Sequence, residues 1–223
     1  RRAGPAGVGP EEDILELVQD EDRRGSASQL LALDEQGDEA LRVGVADGNA
    51  TLGGHLEEVA DEAKMEYSET TGALFADLVP EALDRLSLWE FLIGNTDWSV
   101  AALHNIELFR NEAGDYTPVA YDFDWSGAVN ARYSFPSEKL GIRTVRERLH
   151  RGPCRTPADW APIIAHFQSK RAAVDSLWST PLAGLEPKRQ ADSKAFLDQL
   201  WPILADPKRV ERDLVKVCQK VGN

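Results

Sequence analysis

The pattern of apolar and polar positions changes near Phe75, and a strongly apolar stretch follows Pro80. This stretch, EALDRLSLWEFLI, is apolar on most faces, which predicts a helix buried inside a domain. Proline is favoured in the first turn of a helix, and the pair Gly94-Asn95 is typical of a helix end. We therefore expect one buried helix between Pro80 and Gly94.

Two short apolar runs follow, at residues 105–109 and 117–121. The residues between them, Asn-Glu-Ala-Gly-Asp at 111–115, favour a turn. Short apolar runs joined by such a turn predict a β-hairpin. Asp122 comes directly after the second predicted strand.

The C-terminal third has the spacing of amphipathic helices. A helix capped by Thr156 or Asp159 is predicted to run through Ser176, and a second helix to span residues 193–204. The last helix is predicted to open at Asp206-Pro207 and to carry an apolar stripe at Val210, Leu214, Val217 and Val221. Together with the hairpin, these helices predict an α+β, mainly helical domain over residues 75–223.

The region before Phe75 is harder to assign. Residues 1–12 are rich in Gly, Pro and Glu, which favours a flexible tail. Residues 13–74 are acidic and poorly determined, with a possible strand at 41–45 and a possible polar helix at 55–67. We expect no convincing core from this region.

The charge is concentrated in the N-terminal third. The chain carries a net charge of −13, of which residues 1–69 hold −12. A negative surface repels phosphate, so we expect no nucleic-acid partner. The apolar runs are too short to span a bilayer, so we expect no transmembrane segment. The chain begins with Arg1 and has no signal-peptide pattern, which indicates a processed or partial chain and leaves localisation open.

The two cysteines, Cys154 and Cys218, have neither a Cys-x-x-Cys spacing nor a zinc-site spacing. They can be buried thiols or one disulfide. We favour unpaired thiols.

The densest chemistry lies in residues 92–127, LIGNTDWSVAALHNIELFRNEAGDYTPVAYDFDWSG. This stretch holds Asp97, the pair His104-Asn105, and the acids Asp122 and Asp124. Carboxylates and a carboxamide on either side of a hairpin are what a Mg²⁺-dependent phosphoryl-transfer site needs. We treat these residues as the candidate site.

The order of these parts resembles the C-terminal lobe of protein-kinase-like enzymes, in particular the atypical HipA-like and spore-coat CotH-like kinases. The wording GNTDWS, HN, YDFDWSG and VRERLHRGPCR is also similar to a family of uncharacterised bacterial proteins, over about residues 85–155. The resemblance implies a kinase-like lobe whose small β-hairpin carries the metal-binding acids. It also implies ATP and Mg²⁺ (or Mn²⁺) as cofactors, with an unknown hydroxyl acceptor as substrate.

The resemblance assigns a role to each candidate residue. Asp97 is the catalytic acid that orients the acceptor hydroxyl. Asn105 and Asp122 bind the metal and, through it, the nucleotide, and Asp124 is a possible further metal ligand. The implied function is an ATP- and Mg²⁺-dependent phosphotransferase of the atypical kinase type.

Two features depart from the kinase pattern. Asp97 and Asn105 are eight positions apart, whereas the kinase loop H-R-D-x-x-x-x-N places its Asp and Asn closer together. Either the extra residues bulge out, or the pair is not equivalent to that of the kinases. Upstream there is no Gly-rich phosphate loop, and Lys64 is the only lysine before residue 139. Arg42 can take the position of the kinase lysine but is a poor substitute for it. Residues 13–74 are therefore either a degenerate or partial nucleotide-binding lobe, or that lobe is missing from this chain.

Three other functions compete. A kinase-like scaffold without its nucleotide lobe can be a non-catalytic pseudokinase or binding domain. Asp122-x-Asp124 also fits a haloacid-dehalogenase phosphatase, which requires a βα sandwich downstream. The same residues can open a calcium loop, but Tyr133 occupies the twelfth position, where a bidentate Glu is needed.

Single residues also have structural interpretations. Asp97 can form an Asx turn or cap a helix, and His104 can be a hydrogen-bonded structural histidine. Arg143, Arg146 and Arg148 can meet phosphate or pair with the acids of the site. For these arginines we favour internal salt bridges.

Overall fold

The computed structural model describes residues 30–33, 40–43, 56–57, 59–61, 63–179, 181–182 and 185–220. Within these ranges the chain combines one antiparallel sheet with helices that pack beside it. The α+β class predicted from the sequence is therefore confirmed. The expected tail at residues 1–12 lies outside the described residues.

The sheet has five strands. They are β1 (Leu30–Leu33), β2 (Ala40–Val43), β3 (Glu66–Ser68), β4 (Ile106–Arg110) and β5 (Tyr116–Ala120). Their order is β2-β1-β5-β4-β3, and each neighbouring pair is antiparallel. The predicted hairpin is confirmed as β4–β5. The predicted strand at 41–45 corresponds to β2.

Local side-chain chemistry closes the β4–β5 hairpin. The Asn111 side-chain oxygen accepts the Asp115 N–H at 3.0 Å, and Gly114 adopts a left-handed backbone with φ 94°. Along β4, Ile106 and Leu108 face one apolar cluster while Phe109 faces another. This alternation follows from the two-residue period of a strand and places apolar groups on both faces of the sheet.

Helix α1 (Pro80–Ile93) is the central element. Pro80 is its first residue, and Gly94 ends it in the left-handed conformation with φ 69°. One side of α1 packs on the sheet through Leu83 and Leu86, and the other packs on the C-terminal helices through Leu88, Phe91, Leu92 and Ile93. The predicted buried helix is confirmed, and burial on both sides explains its nearly continuous apolar sequence.

The C-terminal third is helical but more divided than predicted. Its helices are α2 (Pro157–Ser169), α3 (Arg171–Ser179), α4 (Pro187–Asp198), α5 (Trp201–Leu204) and α6 (Pro207–Val210), and a π-helical turn covers Glu211–Val215. None of the described helices has both the length and the apolar character needed to cross a membrane.

Two C-terminal predictions were wrong in their boundaries. The helix capped by Thr156 ends at Ser169 rather than at Ser176, because the chain turns at Lys170 before α3 begins. In the last helix the apolar stripe is buried at Val210 and Leu214, but Val217 is exposed beyond the π-helical turn. Val221 lies outside the described residues. The Thr156 cap itself is present, with its hydroxyl accepting the Asp159 N–H.

A disulfide joins Cys154 and Cys218, with a Cα–Cα distance of 4.9 Å. Our expectation of unpaired thiols was wrong. The two residues are 64 positions apart, and only the packing of the last helices against the 150–155 segment brings them together. Beside the disulfide, Arg155 forms a salt bridge with the buried Asp84 of α1 at 2.8 Å, so the same segment is also tied to the central helix.

The region before Phe75 contributes to the core, contrary to our expectation. Residues 56–57 and 59–61 are helical, and Leu56, Val59 and Ala60 are buried against Phe109 of the sheet. The predicted polar helix at 55–67 is too long, because residues 66–68 form strand β3. Its few apolar residues pack in one cluster with Phe109 and Val119 of the sheet.

Candidate functional site

The loop after α1 is built around the buried side chain of Asn95. Its backbone N–H donates to the Glu90 carbonyl at 2.8 Å, and its side-chain oxygen accepts the Asp97 N–H at 2.9 Å. The Asx turn expected at Asp97 is therefore made by Asn95 instead. Asp97 is left with a carboxylate that is 32% exposed and available for other contacts.

The residues between Asp97 and Asn105 form a closed loop. Ser99 and His104 exchange two backbone hydrogen bonds of 2.9 Å, which turns the chain back on itself. As a result the Asn105 side-chain nitrogen donates to the Asp97 carbonyl at 2.7 Å and to the Asp97 carboxylate at 3.2 Å. The eight-residue spacing is thus accommodated by a bulge, and the two side chains are brought together.

His104 contacts the same carboxylate from the other side. Its Nε2 atom lies 3.0 Å from Asp97 Oδ1, and its side chain is 54% exposed. The Asp97 carboxylate is therefore held by two neighbours, one at each oxygen. These two contacts fix the orientation of the carboxylate.

The second half of the site follows β5. The Tyr121 N–H donates to the Asn105 carbonyl at 3.1 Å, which places Asp122 beside the Asp97–Asn105 pair. Asn105 and Asp122 both have left-handed backbones, with φ of 55° and 53°. Such angles are uncommon outside glycine and concentrate at functional sites.

Three carboxylates gather here. Burial raises the pKa of Asp122, and the negative charges of Asp124 and Asp97 raise it further. Mutual repulsion of this kind costs stability unless a cation neutralises it. We call Asp97, Asn105, Asp122 and Asp124 the acidic cluster.

Arg151, which was not predicted from the sequence, holds the backbone beside the cluster. Its Nη1 atom donates to the carbonyls of Thr96 and Trp98, the latter at 2.7 Å, and so fixes the backbone on both sides of Asp97. Burial lowers the pKa of Arg151, while the charges of Asp97 and Glu90 act in the opposite direction. Nothing in the sequence RGPCR distinguishes this arginine from its neighbours.

Glu90 was also missed, because its polar character is hidden in an apolar helix. The side chain is only 1% exposed, and burial raises its pKa to about 8 against the opposing effects of Asn95 and Arg151. It lies directly beneath the Asn95 turn. A buried, mostly protonated carboxyl group therefore underlies the loop that carries Asp97.

The salt bridges expected for three arginines are largely absent from the described residues. Arg148 donates to the backbone carbonyls of Phe91, Leu92 and Phe196, and Arg146 to those of Gly127 and Asp192. Arg143 pairs with Glu147 on its own segment. The expectation failed because free carbonyls at the end of α1 accept arginine donors as readily as carboxylates do.

The cluster offers oxygen ligands of the kind a hard cation prefers. No group of three or more His, Cys, Asp or Glu side chains in the described ranges is arranged as a metal centre. Mg²⁺, however, is commonly held by one or two carboxylates together with substrate phosphates and water. The carboxylates of Asp122 and Asp124 and the side-chain oxygen of Asn105 are ligands of this kind.

The geometry bears on two competing interpretations. Asp122 follows a strand that is antiparallel to both of its neighbours, whereas a haloacid-dehalogenase nucleophile follows a strand of a βα sandwich. Ser126, which would be the next ligand of a calcium loop that opens at Asp122 and Asp124, is buried, and its hydroxyl accepts the Val129 N–H at 3.3 Å. Neither alternative matches the surroundings of these residues.

The nucleotide-binding residues expected upstream are only partly placed. Lys64 is exposed in the turn before β3. Arg42 of β2 pairs in register with Leu31, which in turn pairs with Ala120 at the end of β5. Arg42 therefore occupies the same row of the sheet as the residues that lead into Asp122.

Comparisons with protein-family models, curated proteins and solved structures gave no match to this chain.

Proposed function

We propose that this protein is an ATP- and Mg²⁺-dependent phosphotransferase of the atypical kinase type that acts on a hydroxyl acceptor. The observation that carries the proposal is the acidic cluster: two separate segments, 97–105 and 122–124, meet with three carboxylates and one carboxamide. The order of its parts is also the order found in the C-terminal lobe of kinases.

Asn105, Asp122 and Asp124 are assigned to the metal and the nucleotide phosphates. When bound, Mg²⁺ neutralises charge on the phosphate oxygens. Asn105 precedes β4 and Asp122 follows β5, so both lie at the same end of the hairpin, where the two ligands are positioned before the metal arrives.

Asp97 is assigned to the acceptor. Held by His104 and Asn105, its carboxylate accepts a hydrogen bond from the acceptor hydroxyl and then takes its proton. The hydroxyl oxygen forms a bond to the γ-phosphorus as the bond from that phosphorus to the β–γ bridging oxygen breaks. ADP leaves, and the phosphoryl group stays on the acceptor.

A non-catalytic scaffold is the second candidate, and the position of Lys64 favours it. Kinases hold the ATP phosphates with a lysine on a central strand, whereas Lys64 is exposed in a turn. In a scaffold the acidic cluster would bind a cation without transferring phosphate. The two candidates therefore differ in turnover and not in metal binding.

Transfer of radiolabelled γ-phosphate from ATP to a hydroxyl acceptor tests the proposal, with casein, glycerol and hexoses as initial acceptors. We expect Mg²⁺-dependent transfer, which the variant Asp122→Ala loses together with nucleotide binding. The variant Asp97→Ala should keep binding and lose transfer, because Asp97 acts on the acceptor. Asp115→Ala, an exposed acid at the tip of the same hairpin, is the matched control.

Thermal unfolding separates failure of binding from failure of chemistry. A nucleotide at about 100 times its dissociation constant adds about 2.7 kcal/mol to stability, which corresponds to about 5–10 °C for a chain of this size. No shift at millimolar ATP and Mg²⁺ would refute the proposal. A shift without transfer to any acceptor would support the scaffold.

A further inference from the structure

A basic groove is formed in part by residues that follow the acidic cluster along the chain. It has a volume of about 530 Å³ and lies between residues 128–146 and the first half of α4. Five cationic side chains line it against two carboxylates; the cations are Arg132, Arg143, Arg146, Lys188 and Arg189. Although the whole chain carries a net charge of −13, the excess of cations makes this groove a local positive surface that attracts anions.

The cations of the groove differ in whether they hold the fold. Arg146 is bound to backbone carbonyls, and Lys188 pairs with Asp192. Arg132 and Arg189, in contrast, are exposed and form no ion pair with any residue in the described part of the chain. They stand on opposite walls of the groove and are available to a ligand.

The position of Arg189 also lacks a structural reason. Lys188 and Arg189 lie in the first turn of α4, and no acidic residue lies in that turn. Cations are unfavourable at a helix N-terminus because the helix dipole is positive there. Their presence therefore adds positive potential to the groove at a small cost to the helix.

One segment connects the groove with the acidic cluster. Tyr133 lies between the groove residues Arg132 and Ser134, and its hydroxyl hydrogen-bonds to Asp124. Next to it, the rings of Trp125 and Phe135 pack with centroids 5.1 Å apart. The segment that lines one side of the groove therefore also contacts Asp124.

The groove also presents apolar surface between its charges. Phe135 is 66% exposed and Val129 is 48% exposed, and both line the groove. A small anion would need a compact nest of donors, whereas here the cations are spread over two walls with apolar groups between them. An extended polypeptide with alternating acidic and apolar side chains fits this pattern better.

We infer that the groove binds an acidic peptide segment and presents its serine or threonine hydroxyl to Asp97, an inference that rests on the phosphotransferase function proposed above. The substrate class is therefore an acidic protein segment. The peptide hydroxyl oxygen receives the γ-phosphoryl group of ATP, ADP leaves, and the hydroxyl proton passes to Asp97.

Two fluorescent peptides test the inference: a short peptide with a serine flanked by glutamates, and the same peptide with glutamine at each glutamate. Binding is measured by fluorescence anisotropy without nucleotide, and transfer with ATP and Mg²⁺. We expect the acidic peptide to bind at least about tenfold more tightly than the glutamine peptide, with salt weakening the difference.

Charge reversal locates the contact. The double variant Arg132→Glu/Arg189→Glu should raise Kd and KM for the acidic peptide about tenfold while leaving KM for ATP unchanged. The matched control, Lys170→Glu/Lys208→Glu, reverses two exposed lysines that do not line the groove and should change neither constant.

The outcomes separate the two proposals. Peptide binding that depends on Arg132 and Arg189, but without transfer, supports the groove and refutes the phosphotransferase function. Transfer that is equal for both peptides refutes the groove and leaves the function standing. A changed KM for ATP in the double variant also overturns the groove assignment. So does displacement of the fluorescent acidic peptide by a sugar phosphate in the anisotropy assay.

Discussion

Asn105 and Asp122 share a backbone conformation that few residues adopt. Their φ angles of 55° and 53° lie in the left-handed region, which asparagine and aspartate tolerate better than most side chains because they form local hydrogen bonds. Asn105 precedes β4 and Asp122 follows β5, so both lie at the same end of the hairpin. We interpret this strained backbone as a means of positioning Asn105 and Asp122 for one metal ion.

The repulsion in the acidic cluster predicts that Asp122→Asn stabilises the protein without ligand. Asparagine keeps the left-handed backbone and removes one of three neighbouring charges. We expect a gain of about 0.5 kcal/mol near neutral pH, a small value because the site is open to solvent screening. Thermal unfolding measures it, with Asp115→Asn at the hairpin tip as the control. A loss of stability would show that Asp122 has a structural partner.

The buried carboxyl of Glu90 predicts a distinct pH dependence. Its pKa in the folded protein is about 8, above the ordinary value of 4.5. A raised pKa favours folding below pH 4.5, and this contribution is lost as the pH rises toward 8. The variant Glu90→Gln should therefore gain on the order of 4 kcal/mol at pH 8 relative to the wild type, and almost nothing at pH 4.5.

Denaturant unfolding at a series of pH values checks the Glu90 prediction. Glu112→Gln, an exposed acid in the hairpin turn, is the control and should leave the pH profile unchanged. If Glu90→Gln lowers stability at every pH, the carboxyl is ionised and paired with Arg151 instead.

At the scale of elements, the parts with local signals could be predicted. Pro80 and Gly94 mark the ends of α1, and the turn residues at 111–115 mark the hairpin. In both cases the sequence signal is the physical cause, because the first-turn proline, the left-handed glycine and the Asn111 side chain act on their own neighbours. The candidate residues next to these elements could therefore be located as well.

The parts that depend on distant contacts could not be predicted. Neither the turn at Lys170 nor the pairing of Cys154 with Cys218 leaves a periodic signal in the sequence. The role of Arg151 depends on carbonyls more than 50 positions away. Composition and spacing describe a residue's neighbours along the chain, and these features are decided by neighbours in space.

The two halves of the site are joined by a backbone crossing that requires glycine. The Gly127 N–H donates to the Gly94 carbonyl at 3.1 Å, and a Cβ on Gly127 would lie 2.4 Å from the Val145 carbonyl oxygen. Gly127→Ala should therefore displace the 122–127 segment, at a cost of about 3 kcal/mol, and weaken Mg²⁺-dependent ATP binding.

Gly141→Ala is the control for this crossing. Gly141 has a positive φ, unlike Gly127, and a Cβ there meets no atom within 4 Å. We expect a cost of about 1–2 kcal/mol from backbone strain alone, with unchanged ATP binding. Equal effects of the two variants on ATP binding would contradict the role given to the crossing. Calorimetric titration and thermal unfolding together make the comparison.

At the scale of the whole molecule, the disulfide fastens the last helices to the segment that carries Arg151. It closes a loop of 64 residues, for which the chain-entropy estimate is about 4 kcal/mol. The double variant Cys154→Ser/Cys218→Ser should lose about that much stability in denaturant unfolding. Reductant should lower the wild-type midpoint and leave that of the variant unchanged, whereas a wild type insensitive to strong reductant under unfolding conditions would contradict the pairing.

The central claim is that the acidic cluster binds a divalent cation together with ATP. Mn²⁺ titration followed by electron paramagnetic resonance tests it most directly, since the signal of free Mn²⁺ falls as the ion binds. We predict one ATP-dependent Mn²⁺ site in the wild-type protein, kept in Asp115→Ala and lost in Asp122→Ala. Mn²⁺ binding in Asp122→Ala at wild-type affinity, or no ATP-dependent binding in the wild type, would contradict the account.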